Sequence, residues 1–309
     1  MQHLQHSILR FNSQMKILVI GGSGLVGSNC LSHFASQPGM EVMGTYFSYP
    51  APNTEYFDTL NIDNPENADI ESFDPDVIMH CGALTHVDKC ETEVEESYDK
   101  TVRSTLNVIE LCKAYDARML YVSTDYVFDG KDGPYDENAE VNPLSVYGKH
   151  KLEAEQLVLN KVPGSVVIRI TNVYGDEERN KNFVTRIAEA CVKGEILELK
   201  LPVDQYASPV NAADVAKALF LLARDGKSGI YNIAGVDFLN RVELVEKILS
   251  FFPNNKITFQ SVTTAELGQP ASRPLMGGLK TDKFMGEYPD FVFSTVNDYL
   301  RDFKEKANI

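Results

Sequence analysis

An α/β fold built on a doubly wound parallel sheet, with a smaller C-terminal cap, is what this sequence predicts. Short apolar runs rich in β-branched residues alternate with helical stretches through residues 15–233, and such alternation implies parallel strands joined by crossover helices. The first run, Lys16 to Ile20, passes straight into Gly21, Gly24 and Gly27 at three-residue spacing. After Gly175 the rhythm loosens, and Pro253, Pro270, Pro274 and Pro289 punctuate the last stretch.

The spacing predicts strands near 16–20, 41–46, 76–80, 118–123 and 166–170, with helices near 25–36, 91–115 and 145–160. Beyond Gly175 follow a helix near 182–193, a strand near 196–200, a helix near 212–224 starting after Asn211, a strand near 229–233 and a helix near 240–251. The glycines fall where the first strand turns into the first helix. Gly21 allows the tight turn, Gly24 the close approach of backbone to a pyrophosphate, and Gly27 close helix–strand packing, while the helix N-terminus supplies free N–H groups. A glycine-rich turn of another α/β protein is the competing reading, and the strand–turn–helix context favours a dinucleotide site in a Rossmann-type sheet.

At 309 residues the chain exceeds the usual single-core limit of about 250. No linker divides it, so two interleaved domains are expected. Residues 15–175 with about 205–238 form the dinucleotide-binding domain. Residues 176–204 with 239–309 form the substrate-binding one, and the last 50 residues lie over the sheet edge. Residues 1–14 are expected to be a mobile extension, with Met15 as the functional beginning.

Composition narrows the function. No apolar run approaches the roughly 20 residues that span a bilayer, and no basic region followed by an apolar stretch opens the chain, so a soluble, cytoplasmic protein is expected. A net charge of −15 repels nucleic acid and leaves any anionic substrate dependent on local donors. Cys30, Cys81, Cys90, Cys112 and Cys191 are odd in number and lack C-x-x-C spacing, and the histidines form no H-E-x-x-H pattern. A disulfide framework and a metal site are therefore not expected. The acidic run Glu91 to Glu96 reads as the solvated face of a helix start. A homodimer is compatible with the sequence and not required by it.

Tyr147 and Lys151 stand four apart, one turn along a helix face. That spacing alone decides nothing. Upstream, the strand Met119-Leu-Tyr-Val-Ser-Thr124 ends in two hydroxyls where catalytic groups of this architecture collect. A hydroxyl, a phenol and an ammonium beside a nicotinamide make a carbonyl reductase. Lys151 is expected to favour the Tyr147 phenolate and to hold the cofactor ribose, while Thr124 holds the substrate oxygen.

These residues resemble the extended short-chain dehydrogenase/reductases, and within them the dTDP-4-dehydrorhamnose reductase family, over nearly all of 15–309. The resemblance rests on the glycine turn; on Val87-Asp-Lys-Cys-Glu91; on Ser123-Thr-Asp-Tyr-Val-Phe-Asp-Gly130, the most specific; and on Pro143-Leu-Ser-Val-Tyr-Gly-Lys-His-Lys151. It extends through Arg169-Ile-Thr-Asn-Val-Tyr-Gly175, Asn182-Phe-Val184, Asp204-Gln-Tyr-Ala-Ser-Pro209 and Arg273-Pro274, followed by Leu279-Lys-Thr-Asp-Lys283. It implies a triad of Thr124, Tyr147 and Lys151. Asp125 and Tyr126 would lie near the sugar, with Thr85, Val87, Asn172, Asn182 and Arg273 completing the substrate site. Arg273 and Asn182 would hold the diphosphate, an ordinary surface ion pair being the other reading of Arg273.

The nucleotide-sugar dehydratases of this superfamily carry Thr-Asp-Glu where this chain has Tyr126, so reduction of a keto sugar is expected rather than dehydration. The family often has Asn at the position of His80 and Trp at that of Asn172. His80 reads as a strand-end residue packed near the cofactor, not as a catalyst.

Leu25, Val26, Cys81, Gly82 and Ala83 complete the cofactor loops, and Asn61 and Ile62 fall where the superfamily contacts adenine. The second strand ends in neutral Thr45, Tyr46 and Ser48 instead of the acid that reads a free ribose hydroxyl. NADP(H) is therefore preferred over NAD(H), although no arginine in that segment accompanies them. Two other functions compete: a regulatory NADP-binding subunit resembling the methionine adenosyltransferase β subunit, and a nucleotide-sugar epimerase.

Overall fold

A computed structural model describes residues 14–308; apart from Gln14, the extension expected at 1–14 lies outside the described residues. The chain opens with β1 (Met15–Ile20), α1 (Leu25–Ala35), β2 (Met40–Tyr46), β3 (Thr54–Tyr56), α2 (Ile70–Phe73) and β4 (Val77–His80). Next come α3 (Val87–Thr92), α4 (Val94–Tyr98), α5 (Ser104–Ala114), β5 (Arg118–Thr124), α6 (Val146–Lys161) and β6 (Val166–Ile170). The later part holds α7 (Phe183–Lys193), β7 (Ile196–Pro202), β8 (Tyr206–Ala207), α8 (Ala212–Arg224), β9 (Gly229–Ile233) and β10 (Leu239–Asn240). It closes with α9 (Arg241–Ser250), β11 (Lys256–Val262), α10 (Thr264–Leu267), α11 (Asp282–Glu287) and α12 (Val296–Lys306).

Seven strands form one sheet in the order β3-β2-β1-β4-β5-β6-β9, and every pairing in it is parallel. Such a sheet must be covered on both faces. On one face Ile17, Val19, Met79, Leu120 and Ile168 pack with Phe34, Leu219 and Phe220; on the other Leu18, Ile78, Met119, Tyr121 and Val167 pack with Val108, Ile109, Ala154 and Val158. The strand order reverses between β1 and β4, so the loops after these strands diverge and leave the crevice in which ligands of open α/β sheets bind.

The cap has its own core, in which Tyr174, Ile187, Leu201, Leu244, Ile248, Ile257, Val296 and Leu300 are buried together, beneath the parallel pair β7 and β11.

Three expectations need correction. The helix expected over 91–115 starts earlier, at Val87, and is broken: Glu93 leaves the helix at ψ 65, and residues 99–103 form a π-helical segment that turns Thr101 and Val102 inward. Strands β3 and β11 were not anticipated, because the first has only three residues and the second, KITFQSV, is mostly polar and exposed. The domain boundary at 239 also fails for part of the C-terminal stretch. Phe284 and Phe293 pack into the sheet's core beside Leu219 and Tyr231, so α11 covers the β9 edge. Among the described residues no helix is long and apolar enough to cross a membrane.

Candidate active site

The turn after β1 is shaped by its glycines. Gly21 has φ +84, a left-handed conformation that L side chains rarely adopt. A Cβ on Gly27 would sit 2.2 Å from Gly21 O, so only glycine lets α1 approach the strand this closely. A Cβ on Gly24 would meet only Gly21 O, at 3.4 Å, which leaves its outer side open. Gly24 is also the N-cap of α1, and no side chain caps that end. The N–H groups at Leu25, Val26 and Gly27 therefore lack a side-chain acceptor, and the open cradle fits a pyrophosphate.

The loop Cys81-Gly82-Ala83 lies against this turn, with Gly82 N 3.2 Å from a Cβ built on Gly21. Beneath it His80 is fully buried, its Nε2 3.4 Å from Ser104 Oγ. Burial, with a smaller contribution from Lys151, pulls its imidazole down to about 3, so it stays neutral.

At the end of β2, the Tyr46 ring stands edge-on to Tyr56, Phe47 stacks on the same ring, and Ser48 is exposed. Asn61 is exposed, whereas Ile62 packs on the core. The arginine absent from this segment of sequence arrives from elsewhere: Arg179, in the loop after β6, places its guanidinium 5.1 Å from the centre of the Tyr49 ring.

Thr124 ends β5, buried, and its Oγ1 accepts from Tyr126 N at 3.2 Å. Tyr147 lies in the first turn of α6, whose N-cap Ser145 accepts from Gly148 N at 3.2 Å. Glu91 Oε2 accepts from Val146 N at 3.0 Å, so this member of the acidic run is a contact to the helix carrying Tyr147 and not a solvated face. A Cβ on Gly148 would lie 2.2 Å from Tyr126 O. This close approach seats the Tyr126 ring edge-on to Tyr147, 5.6 Å between centroids.

Burial pushes the Tyr147 phenol well above its ordinary 10, and the Thr124 hydroxyl opposes the shift without reversing it. The expectation that Lys151 favours a phenolate is corrected here. Lys151 Nζ donates to Val122 O at 2.6 Å and lies 4.1 Å over the Tyr121 ring, and desolvation pulls it down to about 7. Taking both groups out of water favours neutral phenol and neutral amine.

Three substrate-site expectations also change. Asn182 is the N-cap of α7: it accepts from Thr185 N and donates to Gly175 O and to Glu177 Oε1, so its amide is occupied. Arg273 is bound bidentately by Asp88, at 2.9 and 2.8 Å. Asp125 is buried beneath the site, where its Oδ2 accepts from Thr171 Oγ1 at 2.7 Å and from Gly278 N at 3.3 Å. It fastens the cap loop to the strand end instead of facing open space. Thr85 is exposed in the loop after β4, and Val87 opens α3 below it.

Sequence reasoning missed Arg241, the first residue of α9, whose Nη2 donates to Asn172 Oδ1 at 2.9 Å. One signal was available, since a cation in the first turn of a helix opposes the helix dipole. It also missed the buried pair of Arg169 and Glu155, joined at 3.0 and 2.7 Å, which ties α6 to β6.

A family model described as the RmlD substrate binding domain matches residues 15–300. The chain belongs to that family. Among RmlD relatives, a dTDP-4-dehydrorhamnose reductase of Aggregatibacter actinomycetemcomitans is 31% identical over 277 residues, covering 84% of this chain and 88% of the relative. The methionine adenosyltransferase 2 subunit beta of Xenopus tropicalis is 31% identical over 234 residues, covering 74% of this chain and 70% of that one. The structure of a dTDP-4-dehydrorhamnose reductase from Clostridium acetobutylicum superposes with a TM-score of 0.82 at 26% identity, covering 96% of this chain and all of the other.

Proposed function

We propose that this protein is an NADP(H)-dependent reductase of a 4-keto nucleotide sugar, with dTDP-4-dehydro-L-rhamnose as substrate and dTDP-L-rhamnose as product. The observation that carries the reading is the buried Tyr147 phenol, its ring edge-on to Tyr126 beyond the Thr124 strand end, on the same sheet whose first turn forms an open glycine cradle that fits a pyrophosphate. The backbone of Gly24 to Gly27 would hold the pyrophosphate, with Cys81 to Ala83 beside it. A nicotinamide cofactor held there would supply the hydride for the carbonyl carbon. Tyr147 Oη gives its proton to the oxygen that gains charge, and Thr124 Oγ1 holds that oxygen in place. Lys151, buried under the helix, orients the ribose. No carboxylate stands at the Tyr126 position to remove a second proton, which supports reduction over dehydration.

A panel of dTDP-, UDP- and GDP-linked 4-keto sugars, followed by loss of NADPH absorbance, tests this. Turnover of the dTDP-keto sugar is the expected result. The match to methionine adenosyltransferase β subunits favours a second reading, a regulatory subunit, which wins if no sugar is reduced while bound protein alters a partner enzyme's rate.

The cofactor preference has its own test. With neutral residues at 45–48 and Arg179 brought to the end of β2, NADPH should bind about tenfold or more tightly than NADH, the scale of one charge-assisted hydrogen bond. Arg179→Ala should remove that preference and leave NADH affinity unchanged. Nicotinamide fluorescence titration reads both, and tighter NADH binding by the wild type would overturn the assignment.

A further inference from the structure

At a net charge of −15, an anionic sugar nucleotide needs a local cation, and two guanidiniums of the C-terminal part are held against the segments that follow β4 and β6: Arg273 on Asp88 and Arg241 on Asn172. They are not equivalent. Arg273 is neutralised by Asp88 and gives a further bond to Ala271 O at 2.9 Å. Arg241 pairs with no carboxylate among the described residues. Its one hydrogen bond among them goes to a neutral amide oxygen, Asn172 Oδ1, and its plane lies 4.8 Å from the centre of the Phe183 ring.

Several features point the same way. Arg241 occupies the first turn of α9, where the dipole disfavours a cation, and that end is already capped by the Asn240–Glu243 capping box. Helix stability therefore gains nothing from it. The guanidinium is preoriented by the amide and the ring, and most of its donors are left over. Asn172 itself is held at φ +40, an uncommon conformation for a residue other than glycine, and its side chain engages Arg241. Asn172 follows Thr171, whose Oγ1 donates to Asp125 Oδ2 at 2.7 Å, and the residue after Asp125, Tyr126, sets its ring against the proton donor, so the Arg241 contact is tied to the segment that carries Tyr126. A pyranose reacting at C4 carries its anomeric oxygen, and the phosphate attached to it, across the ring from the reacting carbon.

Resting on the reductase reading for the site's identity, we propose that Arg241 binds the diphosphate oxygens of the sugar nucleotide, a role Arg273 cannot fill while paired to Asp88. Planar guanidinium donors suit phosphate better than an ammonium does.

Calorimetric titration with dTDP, and in parallel with UDP and GDP, compares wild type, Arg241→Gln, Arg241→Lys and Arg273→Ala. Arg241→Gln should weaken the preferred nucleoside diphosphate about 10- to 100-fold, and Arg241→Lys should recover part of the loss. NADPH affinity and melting temperature of both should match wild type. Arg273→Ala should melt lower yet keep diphosphate affinity. Unchanged diphosphate affinity in Arg241→Gln overturns the assignment, as does a parallel loss of NADPH affinity or a wild type that binds none of the three. If binding depends on Arg241 but no keto sugar is reduced, the reductase reading falls and this assignment stands.

Discussion

Tyr147→Phe should lower the turnover number by about 10²-fold or more, the usual scale for a positioned general acid, while the fold and NADPH affinity persist. The substitution removes one oxygen from a buried ring whose edge-on contact with Tyr126 survives. Because burial raises the phenol's pKa, the wild type keeps its proton donor across the neutral range, and the substitution removes that donor. Single-turnover measurement of NADPH oxidation separates chemistry from product release. If Tyr147→Phe retains most of the activity, Tyr126 becomes the proton donor to test next. Lys151→Met should differ from it by weakening NADPH as well as turnover.

Glu155→Ala should cost about 3–5 kcal/mol of folding stability, because it strands the Arg169 guanidinium in the interior. Both partners are almost wholly buried, the pair is bidentate, and Arg169 Nη1 already lacks a partner. Against a typical total of about 5–15 kcal/mol, this is a large fraction. Glu155 lies one turn beyond Lys151 on α6, so the same change should also loosen the helix that positions the triad. Urea denaturation measures the loss. The double variant Glu155→Leu with Arg169→Met should recover most of it, since two apolar side chains leave no buried charge. A single-variant loss below about 1 kcal/mol would mean that water reaches the pair.

The parallel sheet was legible because its strands are short continuous apolar runs, and Gly21, Gly24 and Gly27 named the phosphate turn because the steric demand there is local. Gly27 must lack a Cβ to let α1 lie on β1, and that requirement is written at a single position. The placement of Thr124 at a strand end and of Tyr147 and Lys151 one turn apart on a helix was legible because periodicity fixes both; their grouping as a triad came from the family resemblance. The broken helix over residues 87–114 was less legible, since a π-helical segment retains helical composition.

Charge pairing was settled only by tertiary structure. Asp88 and Arg273 are 185 residues apart, and nothing in either segment announces that one neutralises the other. Asn182 looks like a free donor in sequence and proves to be a helix cap. Arg179 reaches the Tyr49 ring from the loop after β6, and Arg241 meets Asn172 from 69 residues further along the chain. The sequence by itself determined the scaffold and where the candidate reacting groups sit on it, because backbone sterics and hydrophobic periodicity act over a few residues. Which cations remain available for an anion, and whether a buried phenol is neutral, depend on burial and distances between segments remote in the chain, and these the folded structure decided.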